Sequence, residues 1–155
     1  MSAAENKKLI QQAFAKWAAG DADAVFKLLA DDVRWTVIGS TRVSCSYQSK
    51  REFLEVAVQP LTARLATPIK PSVLDVIADG DKVAVQWDGR ASAKNGKPYN
   101  QRYCWVMRLE DGRVREGVAY LDTELISQLW TRRNESGSQQ LKTSKSCQAR
   151  TSRPL

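Results

Sequence analysis

Leu9, Ile10, Ala13, Phe14 and Trp17 recur at the i, i+3, i+4, i+7 spacing that gathers apolar side chains on one helical face, which predicts a helix over 3–19. Gly20 stops it. Asp21 can cap a second helix over 22–30, with Val25, Phe26, Leu28 and Leu29 as its apolar positions. The pattern then changes. Val33-Arg34-Trp35-Thr36-Val37-Ile38 is β-branched and aromatic, so a strand is predicted, ended by Gly39-Ser40. Residues 41–48 read as loop. Ser49 and Glu52 have capping-box spacing, so a helix is predicted from there to about 59, before Pro60. Residues 61–68 fit either a short helix or a loop. A strand of about 72–78 closes at Asp79-Gly80.

Three strands follow, over 82–90, 99–109 and 113–121. Asn95-Gly96 and Asp111-Gly112 between apolar runs are strong hairpin signals, so the three form an antiparallel meander. Side chains alternate between its two faces. Gln86 and Asp88 share one face of the first strand; Val83, Val85 and Trp87 share the other. Gln101, Tyr103, Trp105 and Met107 fall together on the second, and Glu116, Val118, Tyr120 and Asp122 on the third. Thr123 can cap a last helix over 124–130. Helices kept apart from an antiparallel sheet define an α+β fold.

At 155 residues and 43% hydrophobic, the chain suffices for one domain with a core, expected over 1–131. No apolar run approaches the roughly 18–20 residues of a membrane span, and the N-terminus lacks the apolar core of a signal peptide. A cytoplasmic location and no membrane partner are therefore expected. The net charge of +7 is unevenly spread: residues 132–155 carry six basic residues against Glu135, leaving 18 basic against 16 acidic before them. That polar, basic tail buries too little to order itself and is expected to be mobile. A nucleic-acid binder carries its basic stripe on the folded body, so nucleic acid is not the expected partner. Cys45, Cys104 and Cys147 are far apart, with no C-x-x-C, and are expected as reduced thiols. Histidine is absent, which removes Ser-His-Asp and Cys-His catalysis and most zinc sites. No Gly-rich phosphate loop or metal cluster occurs, so neither cofactor nor metal is expected.

Ala19-Gly20-Asp21-Ala22-Asp23, Leu29-Ala30-Asp31-Asp32-Val33-Arg34-Trp35, Gly96-Lys97-Pro98-Tyr99, Asp111-Gly112-Arg113-Val114 and Tyr120-Leu121-Asp122-Thr123, in this order, resemble the nuclear transport factor 2-like superfamily, in its SnoaL-like branch. The resemblance covers about residues 5–130. It implies a cone: a strongly curved antiparallel or mixed sheet, cystatin-like, wrapped around helices with an internal pocket. It also implies a small apolar organic ligand and a homodimer through the outer sheet face. The catalytic positions of ketosteroid isomerase fall on Thr36, near Ala13 and near Trp105, so steroid isomerase chemistry is rejected. Limonene epoxide hydrolase has two acids whose counterparts are Asp88 and Asp122; its Arg position is Gln86, and its water-positioning Tyr and Asn fall on Trp35 and Val37. In SnoaL-like cyclases the acid corresponding to Asp122 is the acid/base.

The expectation that follows is acid/base catalysis by Asp122 and Asp88, with Gln86, Tyr103, Trp35, Trp105 and Tyr120 contacting substrate. Two carboxyls in one apolar cavity cannot both ionise cheaply, so one pKa should rise and leave a donor beside an acceptor. Other readings stand beside these. Asp122 can N-cap the last helix, Asp88 can pair with Arg90 or Arg102, and the aromatics can be core. The function expected is an enzyme of hydrolase, isomerase or cyclase type, or else a non-catalytic ligand-binding or dimerisation module of the same fold.

Overall fold

The computed structural model describes residues 1–130; the tail at 132–155 and the domain boundary at 131 lie outside the described residues. Helix α1 is Ala3–Ala18, capped by Ser2, whose Oγ accepts from the Glu5 N–H at 3.1 Å. Gly20, at φ 118°, turns the chain out of it. The second helix expected over 22–30 does not form. A single 3-10 turn, Phe26–Leu28, leads straight into strand β1, Leu29–Val37. The Asp21 carboxylate accepts from the Asp23 N–H and holds a turn there, and pairing of β1 with a distant strand outweighs the local helical spacing.

The segment 41–48, read as loop, contains the three-residue edge strand β2, Cys45–Tyr47, paired antiparallel with β1. Three residues are too few for alternation to show. Ser49 then caps a helical rod, its Oγ accepting from the Glu52 N–H at 3.0 Å. The rod is α2, Lys50–Phe53, a π-helical stretch, Leu54–Val58, and α3, Gln59–Ala63. It passes through Pro60 instead of ending there. In the π stretch the Gln59 N–H reaches back five residues to the Leu54 carbonyl. That widened turn accommodates a ring which cannot donate and would crowd a regular α-turn.

Strand β3, Lys70–Asp79, is followed by the expected three-strand meander, β4, Lys82–Ser92, β5, Pro98–Glu110, and β6, Arg113–Leu121, and then by α4, Thr123–Gln128. The six strands make one sheet in the order β2-β1-β6-β5-β4-β3. It is mixed: β1 lies parallel to β6 and all other neighbours are antiparallel. The architecture is α+β. Among the described residues no helix is long and apolar enough to cross a membrane. Cys104 is free, whereas Cys45 is disulfide-bonded, so reduced thiols do not hold at Cys45; an odd count argues against a framework, not against a single bridge.

Register decides which residues share a face, because residues directly opposite each other in an antiparallel pair point the same way. Trp87 lies opposite Tyr103 and Val85 opposite Trp105, while Ala119 and Leu121 face those two from β6. These side chains are buried or half-buried under α1 and the rod. Gln86 lies opposite Cys104 and Asp88 opposite Arg102, on the outer face. The expected grouping of Gln86 and Asp88 with Tyr103 is therefore reversed, and Trp87 takes the inner place.

Candidate functional site

Between the inner face of the sheet and the helical rod is a cavity of about 470 Å³. Trp35, Trp87, Tyr103 and Trp105 line it from the sheet, Trp17 and Phe26 from α1 and the turn after it, and Phe53, Ala57 and Leu61 from the rod. Two glycines let the large rings approach. A Cβ at Gly117 would collide with the six-membered ring of Trp35. One at Gly89 would stand 2.9 Å from Ile69, 3.0 Å from the Trp87 ring and 3.2 Å from that of Tyr103. With these hydrogens in place, Trp87 and Tyr103 stack at 4.1 Å and 12°. Trp105 meets Trp35 and Trp87 edge-on, at 5.0 and 4.9 Å. Stacked and edge-to-face pairs are the favoured aromatic geometries.

Polar atoms at this wall are few. The indole N–H groups of Trp35, Trp87 and Trp105 are buried without an acceptor. The Tyr103 hydroxyl is 2.9 Å from that of Tyr99. Burial pushes the Tyr99 phenol up and holds the Tyr103 phenol well above the usual tyrosine range, so both are neutral donors, not bases. Asp23 is the one carboxylate among the described lining residues, and like Gln59 and Thr62 it is exposed. No group of three His, Cys, Asp or Glu side chains gathers among the described residues to hold a metal ion.

The structure separates the residues expected to form the site. Trp35, Tyr103 and Trp105 line the cavity. Asp88 does not: on the outer face its carboxylate accepts from Arg102 Nε at 2.7 Å and Nη2 at 3.0 Å. That hydrogen bond lowers its pKa, the reverse of the rise expected for a proton donor. Asp122 is exposed and N-caps α4, its Oδ1 accepting from the Leu125 N–H at 3.3 Å. Gln86 and Tyr120 are exposed on the outer face. Asp88, Asp122, Gln86 and Tyr120 thus lie outside the cavity, because strand alternation is legible without register but the matching of faces is not. Trp17, Phe53 and Trp87 were not expected in the wall. Counting back from the turns does not find Trp87: a two-residue turn at Asn95-Gly96 would pair Tyr103 with Asp88, whereas the loop closes between Ala93 and Lys97, one residue longer, and the observed register pairs Tyr103 with Trp87.

A model of the SnoaL-like domain matches residues 10–117, more than half of the chain. The chain belongs to the SnoaL-like family. This SnoaL-like domain has the nuclear transport factor 2-like fold. It is similar to an NTF2-like protein of unknown function from Burkholderia pseudomallei, at 22% identity and TM-score 0.70, covering 85% of this chain and 100% of that one. It is also similar to AclR of Streptomyces galilaeus, proposed to be a hydroxylase, at 19% identity and TM-score 0.65 over 83% and 97% of the two chains. A proposed isomerase from Rhodopseudomonas palustris matches at 17% identity and TM-score 0.60, over 80% and 94%. No curated protein matches the SnoaL-like domain at the sequence level.

Proposed function

We propose that this SnoaL-like domain takes a small apolar, ring-containing molecule into the cavity. The observation that supports it is the wall itself: seven aromatic and several aliphatic side chains around a hollow of about 470 Å³. That volume lies within the roughly 300–1,000 Å³ of small-molecule sites. Removing apolar ligand surface from water favours entry by about 25 cal/mol per Å², and ring faces and edges add to it. Ala57 on the rod is the place to test this. Ala57→Trp fills the hollow and is expected to abolish naphthalene uptake measured by calorimetry, while Asp88→Asn leaves it unchanged. Uptake that survives a filled cavity overturns the reading.

A second reading, acid/base catalysis on the same ligand, draws on Asp23, the carboxylate bordering the cavity, and on Tyr103 as proton donor. The names of two structural neighbours, hydroxylase and isomerase, are in line with an enzyme. In that reading Asp23→Asn stops turnover of a bound ligand without loosening it.

We infer a homodimer through the outer sheet face. Ile77, Ala84, Val106 and Val118 lie opposite one another across four strands and form an apolar row. Lys82, Arg108, Glu116 and Arg34 form a charged row beside it. Ile77 is 59% exposed and Tyr120 46%. Contiguous exposed apolar surface of this kind favours a partner.

A further inference from the structure

The cavity has an inside and a mouth. Of its lining residues, Ala22, Asp23, Gln59, Thr62 and Pro68 are exposed, so the opening lies between the turn after α1 and the second half of the rod. The aromatic side chains stand deeper: Phe26 is half-buried and the others are buried.

Charge at this opening has one sign. Asp23 is the one charged residue among the described lining residues, which include no Lys or Arg. Lys27 and Arg64, the cations nearest in sequence to Asp23 and Thr62, are engaged elsewhere. Lys27 Nζ lies 3.4 Å from the Asp21 carboxylate, and the Arg64 guanidinium lies 5.2 Å from the centre of the Trp130 ring. The backbone N–H and carbonyl of Asp23 are bonded to Asp21 and Lys27, but its carboxylate takes part in no hydrogen bond or ion pair among the described residues.

Hydrogen bonding at the opening leans the same way. The Thr62 hydroxyl donates to the Val58 and Gln59 carbonyls, at 3.0 and 3.1 Å. Carbonyls only accept, so the hydroxyl hydrogen is turned back into the rod, and the oxygen has only lone pairs left to offer a guest. Behind the opening, the aromatic faces carry the negative side of the ring quadrupole, which draws cations and repels anions. Carboxylate, lone pairs and ring faces all complement one kind of head group, a positive one with N–H donors.

Resting on the ligand-binding reading above, the geometry points to an apolar ring system bearing a protonated amine as the ligand of this cavity, its ring among the tryptophans and its ammonium group at the mouth, paired with Asp23.

Four probes of one ring size test this on the full chain, by equilibrium dialysis at neutral pH: naphthalene, 2-naphthylmethanol, 2-naphthylmethylamine, which is protonated there, and 2-naphthoate. The amine is expected to bind about fivefold more tightly than the alcohol, the factor that one exposed ion pair supplies, and the naphthoate more weakly than either. The advantage of the amine should shrink in about 1 M salt, where charges are screened beyond roughly 3 Å. Asp23→Asn should bring the amine down to the alcohol and leave naphthalene unchanged. Asp23→Lys should reverse the order, so that naphthoate overtakes the amine. Asp23 is exposed and its carboxylate is unbonded, so both variants keep the fold. Loosening confined to the amine also separates this inference from the acid/base reading, in which Asp23→Asn loosens no ligand. Amine and alcohol bound alike, or an amine advantage that survives Asp23→Asn, overturns the inference, while naphthalene uptake leaves the cavity reading intact. Absence of naphthalene binding overturns both.

Discussion

A methyl group at position 117 would run into the Trp35 ring. Gly117 sits on β6 opposite Met107, with the ring lying where a side chain would otherwise project. Gly117→Ala therefore overpacks the core, and a loss of about 1–3 kcal/mol in urea unfolding is expected. The same variant should weaken ligand uptake, because Trp35 is displaced toward the hollow. The phenols set a second expectation. Tyr47, Tyr99 and Tyr103 all have folded-state pKa values raised first of all by burial. The unfolded chain releases these protons at about pH 10, where the folded chain still holds them. Their contribution is thus fully present below about pH 10 and is lost as pH rises beyond it. Tyr103→Phe should flatten part of that alkaline decline in urea melts.

At the scale of elements, the π stretch before Pro60 sets which side chains of the rod face the hollow. Pro60→Ala restores a donor and lets the stretch relax to a regular α-helix. One residue of slippage turns the following side chains by about 100°, so Leu61 would leave the wall. Stability equal to or above wild type, with ligand affinity about tenfold weaker, is expected from paired melting and binding measurements. Elements were legible where turn chemistry brackets them. The strands after Asp79-Gly80 came out within two residues because Asn-Gly and Asp-Gly mark their ends. Residues 22–30 misled because their helical spacing is short, and what decides them is parallel pairing of β1 with β6, some eighty residues on. The Pro60 boundary misled because a π turn is invisible in residue types.

For the molecule as a whole, the sheet has one face on the core and one exposed. The aromatic wall was legible in part: Trp35, Tyr103 and Trp105 were picked out, although their grouping with Asp88 and Asp122 was not the structure's. The ordered run of weak motifs carried the fold, since fold depends on many positions at once. The chemistry of the hollow did not follow, because it depends on which of two faces a few residues share. The outer face makes its own expectation. Val106→Glu or Val118→Arg, both in the apolar row, should give a monomer in analytical ultracentrifugation where the wild type is a dimer, with binding at the distant cavity kept. A wild-type monomer sinks the dimer.

Trp17, Trp35, Trp87 and Trp105 form a continuous cluster, with neighbouring rings 4.9–6.4 Å apart. Chromophores this close do not absorb light independently: their excitations mix, and the circular dichroism takes on a paired positive and negative band whose sign follows the angle between rings. A guest wedged among them would shift those angles. The protein therefore carries its own unlabelled optical gauge of whether the hollow is filled.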